Sequence, residues 1–113
     1  MQPTTPESYR RQARVFKALG HQTRLFMVLE LGRGERCVND LQELIGADVS
    51  TVSKHLSVLR EAGLVRDERR GSQVFYSLTA PCVLSFMGCI DGLTNPAAAE
   101  PREILVTLPE DTA

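Results

Sequence analysis

Between Val38 and Gly63 the chain carries two short amphipathic stretches separated by three residues, and that spacing restricts the fold most. Val38, Leu41, Leu44 and Ile45 recur at helical intervals, and Gly46 stands where a left-handed residue ends a helix. Asp48 is a good N-cap for a following helix over 49–62, with Val52, Leu56 and Leu59 inward and Gly63 closing it. Two helices joined this tightly must cross at an angle. The second is apolar on one side only, so its other side faces outward. That is the helix-turn-helix pattern. Its exposed start carries Ser50, Thr51, Ser53, Lys54 and His55. Short hydroxyls, a cation and an imidazole can donate to phosphates or base edges without filling a groove.

After Gly63 the apolar period changes from helical to alternating. The runs 64–69 and 73–78 flank Arg70-Gly71-Ser72, which predicts a β-hairpin with a basic tip. Arg69, Arg70 and Gln73 fall on this wing, where arginine can reach phosphates or a narrow minor groove. The expected fold is therefore mainly α with a small β-hairpin wing (α+β), a winged helix-turn-helix. Upstream, QPTTP (2–6) reads as an arm. A first helix follows with Tyr9, Ala13, Phe16 and Leu19 as its apolar stripe, ending near Gly20. Its Arg10, Arg11, Arg14 and Lys17 read as a solvated face. A second helix places Leu25, Val28, Leu29 and Phe26 inward and stops at Gly32-Arg33-Gly34. Downstream, Pro81 suits the first turn of a last helix from Cys82 to about Leu93, apolar over most of its circumference. So apolar a helix in so small a chain calls for a second copy, and dimerisation through the first and last helices is expected. The domain reading is 1–94 for DNA binding and dimerisation and 95–113 for a Pro/Ala-rich acidic tail.

Composition sets outer limits. At 113 residues with 42% hydrophobic and 24% charged side chains, one globular domain is expected. Aromatics are 5% and Trp is absent, which disfavours a stacking platform for single strands. No apolar run approaches a membrane span, and the start lacks the pattern of a secretory signal, so a cytoplasmic location with no membrane partner is expected. The formal charge is −1, but residues 1–94 hold 12 Lys/Arg against 10 Asp/Glu, so a DNA-binding face must be local. There is no Gly-rich phosphate loop and no HExxH, and no enzyme is expected.

Three runs carry a resemblance. Phe16-Lys17-Ala18-Leu19-Gly20-His21-Gln22-Thr23-Arg24-Leu25, Cys37-Val38-Asn39-Asp40-Leu41 and the stretch from Ser50 to Val65 closely resemble the ArsR-SmtB family of bacterial winged-helix repressors, and 70–78 completes the match. The resemblance spans residues 9 to about 93. It implies a homodimer on palindromic double-stranded operator DNA, released in many members by a thiophilic or transition metal. By resemblance, Ser50, Thr51, Ser53, Lys54 and His55 fall on the operator-contacting segment and Arg69, Arg70 and Gln73 on the wing. For His55, a bond to a phosphate or a neighbouring residue stands equal to base readout.

The sensing chemistry rests on Cys37, Cys82 and Cys89. The last helix has Asp91 and no histidine, which departs from the family's carboxylate-histidine site. Cys37 matches the first cysteine of the family's Cys-x-Cys site, but Asn39 replaces the second. Cys82 and Cys89 lie nearly two turns apart, about 10 Å along a regular helix. Two sulfurs sharing one ion lie within about 4.6 Å, twice a zinc–thiolate bond, so a regular helix cannot offer both to one ion. Sulfur ligands without histidine favour As(III), Sb(III) or another thiophilic ion as inducer, with no organic cofactor. Alternatives are a thiol-redox or reactive-sulfur sensor using the same atoms, structural burial of each cysteine, and a winged-helix protein-interaction module without DNA function.

Overall fold

A computed structural model describes residues 5–95. The element order is α1 (Pro6–Leu19), α2 (Gln22–Gly32), β1 (Arg36–Cys37), α3 (Val38–Ile45), α4 (Val49–Glu61), β2 (Val65–Arg70), β3 (Gln73–Leu78) and α5 (Cys82–Thr94). The chain divides into one compact unit ending at Ala80 and a second that begins at Pro81. The acidic tail expected beyond Asn95, and most of the N-terminal arm, lie outside the described residues. The end of that arm is ordered into α1. Thr5 caps the helix in a reciprocal box, Ser8 N donating to Thr5 Oγ1 at 3.1 Å and Thr5 N to Ser8 Oγ at 3.2 Å, with Pro6 in the first turn.

The core of the first unit comes from every helix of that unit. Met27, Val28, Leu41, Val52, Leu56 and Leu59 are fully buried, with Ala18, Leu19, Leu31, Cys37, Leu64 and Val65 around them. On α4 the three expected positions are the three buried ones. Asp48 Oδ1 accepts from Thr51 N at 2.8 Å and sets where α4 begins. Gly46 ends α3 at φ 80°, a conformation that costs a residue with a Cβ.

One expected face is corrected, that of α2, and the stripe of α1 is mostly outward. On α2 the core takes Met27, Val28 and Leu31, while Leu29 and Phe26 face outward and Leu25 is half-buried. Both sides of α2 are apolar, so periodicity alone does not select the inner one. On α1, Leu19 is buried, but Tyr9, Ala13 and Phe16 are exposed, and Ala18 takes the inner position. The cations of α1 do line a solvated surface. Arg10 pairs with Glu7 at 2.8 Å, and Arg14 and Lys17 border a groove with Val58 and Glu61 of α4.

The hairpin pairs β2 with β3 in antiparallel register from Val65↔Leu78 to Arg70↔Gln73, closed by Gly71 and Ser72. Gly71 has φ 64°, as a two-residue hairpin loop requires. A strand too short for the sequence pattern to reveal completes the sheet. β1 pairs with β3 through Arg36↔Tyr76 and Cys37↔Phe75, giving the order β1-β3-β2. In the second unit, α5 is one helix with no buried residue, and Leu93 is 84% exposed. Pro81 stands one place earlier than expected, as its N-cap. Among the described residues no helix is long and apolar enough to cross a membrane.

Leu56→Ala should lower the unfolding free energy by about 2–5 kcal/mol, since it empties a fully enclosed site. Asp48→Ala should cost about 1 kcal/mol, the usual loss for a helix cap. Urea denaturation of both variants checks the order: a cap loss equal to the core loss would show that Leu56 is not a central packing residue.

Candidate nucleic-acid interface

The outward side of α4 follows from its inward side. With Val52, Leu56 and Leu59 turned to the core, Ser50, Thr51, Ser53 and Lys54 are all exposed on the first turns. They are not equally available. Ser50 Oγ donates to Asp48 Oδ1 at 3.3 Å, and Thr51 bonds the same carboxylate. Those bonds, chiefly from Thr51 with nearby Lys54 a lesser cause, hold the Asp48 carboxyl below its ordinary value. Ser53 instead borders a cleft of about 260 Å³ where α4 meets the start of α3 and the wing tip. Cys37, Asn39, Val49, Ser72 and Gln73 also line it. The fold thus brings Ser53, Gln73 and Cys37 to one place, though they lie far apart in sequence.

His55 does not join this face. Its Nδ1 lies 3.2 Å from the Arg24 guanidinium, and its ring sits 4.6 Å from that of His21. Arg24 is itself fixed, donating through Nε to the Ala18 carbonyl at 2.6 Å. His21 Nδ1 accepts from Thr23 N at 3.1 Å and caps α2. His55 is therefore a strut between α4 and the α1–α2 junction, the bond to a neighbouring residue that stood as one of its two expected roles. A guanidinium can only donate, so the facing nitrogen of His55 is an unprotonated acceptor. Burial, then the charges of His21 and Arg24, push the His55 pKa down from its ordinary value.

The wing separates the three residues expected on it. Directly paired residues share a face of a hairpin, and so do residues two apart. Arg70, Glu68, Gln73 and Phe75 are on one face; Arg69, Asp67 and Val74 are on the other. Arg70 is bound. Its Nη1 and Nη2 donate to the two oxygens of Glu35 at 2.8 and 2.7 Å, and Nη2 also reaches Glu68 at 3.0 Å. The guanidinium lies 4.7 Å over the Phe75 ring. Sequence reasoning missed Glu35 and Arg24, because each acts through a partner distant in the chain, and the cap supplied by His21, because histidine is not one of the usual capping residues. Of the cysteines, Cys37 is buried and caps α3, while Cys82 and Cys89 are exposed on α5. Among the described residues no group of three or more His, Cys, Asp or Glu could hold a metal ion.

A helix-turn-helix with an exposed hydroxyl-and-lysine face, followed by a two-stranded wing, defines a winged helix-turn-helix protein. The profile of the bacterial regulatory proteins of the arsR family matches residues 21–67. The arsenical resistance operon repressor of Bacillus subtilis is 39% identical over 79 residues, covering 69% of this chain and 75% of that protein. The biofilm growth-associated repressor of Xylella fastidiosa (strain Temecula1) is 43% identical over 67 residues, and the match covers 59% of each chain. The crystal structure of the transcriptional repressor BigR from Xylella fastidiosa matches with a TM-score of 0.66 at 33% identity, over 80% of this chain and 96% of that one. This chain belongs to the ArsR family of bacterial regulatory proteins, a family of regulators rather than enzymes.

The His55 arrangement has a pH signature. The unfolded chain takes up a proton near pH 6.5, whereas the folded chain resists it until lower pH. Below about 6.5 the unfolded state binds more protons, so stability is full above that pH and falls as the pH drops toward the folded pKa. The urea midpoint should decline between pH 7 and pH 5, and His55→Gln, which keeps an acceptor for Arg24, should flatten that decline. An equal decline in the variant would remove His55 as its cause.

Proposed function

We propose that this chain is a homodimeric transcriptional repressor that binds double-stranded operator DNA in the cytoplasm and is released when a thiophilic ion, As(III) foremost, binds at its cysteines. The observation that carries the DNA reading is the exposed Ser50, Thr51, Ser53 and Lys54 face over the fully buried Val52, Leu56 and Leu59, flanked by the wing. Hydroxyls and an ammonium in that setting bond phosphates and base edges, and Arg69 and Gln73 add contacts from the wing. Two copies related by a two-fold axis would set their α4 helices in successive major grooves, about 34 Å apart. The apolar, unburied α5 supports pairing, since an exposed helix of that kind gains stability by covering itself.

The inducer reading rests on where Cys37 lies. It shares the cleft with Ser53 and Gln73, so chemistry at its sulfur alters the ground on which recognition helix and wing meet. The other polar lining groups are hydroxyls and amides, which suit hard ions poorly matched to thiolate. More than one sulfur on the ion would draw on Cys82 or Cys89. Binding to the DNA-incompetent form shifts the population away from the operator by the difference in affinity. A second reading uses the same thiols. Cys82 and Cys89 are exposed and open to an oxidant or persulfide. One thiol from each of two subunits would then give up, between them, two protons and two electrons to that oxidant and form a sulfur–sulfur bridge, since Cys82 and Cys89 of one α5 lie too far apart to join.

A duplex selected from a random pool by the wild-type protein provides the test. Affinity should fall by on the order of 10³ between about 50 and 200 mM salt if several phosphates are contacted. Arsenite should lower affinity by about 5- to 150-fold, the range of typical allosteric coupling, with a matching arsenic adduct in native mass spectrometry that Cys37→Ser removes. Release by persulfide or oxidant but not arsenite would establish the second reading. Absence of salt-sensitive binding would leave the protein-interaction module.

A further inference from the structure

We propose that Arg70 is a positioning residue that clamps the wing tip to the segment entering β1, and that Arg69 is the wing arginine that meets the DNA backbone. This rests on the DNA-binding reading of the same surface. Two observations carry it, and a difference of sign tests it.

The first is the geometry around Arg70. Both terminal nitrogens engage Glu35 at 2.8 and 2.7 Å, one also engages Glu68 at 3.0 Å, and Phe75 lies beneath at 4.7 Å. A single exposed ion pair adds little to stability. A bidentate fork shared by a second carboxylate and an aromatic face fixes the side chain in one geometry. Glu35 is 35 residues away in sequence, so this contact closes the hairpin tip onto another part of the fold. Midway along β2 there is a second strut, Arg60 to Asp67 at 3.1 Å. The two-stranded wing is thus held at its tip and at its middle.

The second observation is charge. On the Arg70 face two carboxylates, Glu35 and Glu68, cancel Arg66 and Arg70. A polyanion gains no net Coulombic attraction there, only the neutral amide of Gln73, and moving the Arg70 guanidinium to a phosphate would leave both carboxylates facing the backbone. On the opposite face Asp67 is already neutralised by Arg60. Arg69 is exposed and has no ion pair among the described residues, so that face keeps a net positive charge.

The test is one of sign. A phosphate-binding arginine held by Glu35 would be released by removing that carboxylate, and DNA affinity would rise. A clamp makes the opposite demand, because a loosened wing must be ordered again on binding.

The test uses the full chain and four variants, Glu35→Gln, Arg70→Gln, Arg70→Lys and Arg69→Gln. Hydrogen exchange at Gly71 to Gln73 is followed without DNA. Affinity and its salt slope are measured on the duplex selected by the wild-type protein. Glu35→Gln, Arg70→Gln and Arg70→Lys should each speed exchange at the tip. Each should weaken binding by about twofold to thirtyfold, the range for changes acting through a packed network, with the wild-type salt slope. The lysine variant keeps the charge but loses the fork, so it separates clamp from charge. Arg69→Gln should leave exchange unchanged and reduce the slope by about 0.9 per contact, or about 1.8 for a dimer. Tighter binding by Glu35→Gln, a reduced slope in Arg70→Gln, or unchanged tip exchange in the three clamp variants would overturn the proposal. If the wild-type protein selects no duplex, the DNA-binding reading fails, and with it the assignment of Arg69; exchange at the tip still decides the clamp.

Discussion

The stripe of Val52, Leu56 and Leu59 on α4 is the constraint on which the rest depends. All three are fully enclosed, and each contributes about 1.5–3 kcal/mol by leaving water. That burial fixes the rotation of α4 about its own axis. Asp48 fixes where the helix starts, through its bond to Thr51 N at 2.8 Å, and Gly46 lets the chain turn tightly enough to arrive there. Once rotation and start are set, the side chains left outside are those at 50, 51, 53 and 54. Their chemistry is a consequence of the packing behind them. His55 then adds a polar strut to Arg24 at 3.2 Å, holding α4 against the α1–α2 junction.

The same framework sets a thiol beside the proposed DNA surface. Cys37 ends β1, caps α3 and borders the cleft shared by Ser53 and Gln73. Two residues upstream, Glu35 holds the wing through Arg70. The α4 helix, the wing and the thiol therefore meet around one short segment, 35–37. A change in that segment has two routes to the proposed DNA surface, through the cleft and through the wing tip.

Much of this was legible in the sequence because the relevant signals are local. The Asp48 cap, the Gly46 stop, the three buried positions of α4 and the hairpin around Gly71 each depend on residues within one turn or one loop. What the sequence hid depends on distance or on ambiguity. β1 is two residues long and has no period of its own; only pairing with β3 makes it a strand. Glu35 and Arg24 find their partners across the fold. α2 is apolar on both sides, so Leu29 and Met27 compete equally until packing chooses Met27. His55 sits half-buried at the edge of the exposed arc, and its contact with Arg24 joins residues 31 apart in the chain. Arg69 and Arg70 are adjacent in sequence, yet a strand sends neighbours to opposite faces, and only the register shows which one meets Glu35.

The most direct measurement is a backbone-amide NMR titration of isotope-labelled protein with a selected duplex. The account predicts that the largest shift changes fall at Ser50, Thr51, Ser53, Lys54 and Arg69, while the contact between His55 and Arg24 persists in the complex. Changes centred instead on the outer side of α3, at Gln42 and Glu43, with α4 unaffected, would contradict the assignment of α4 as the reading helix.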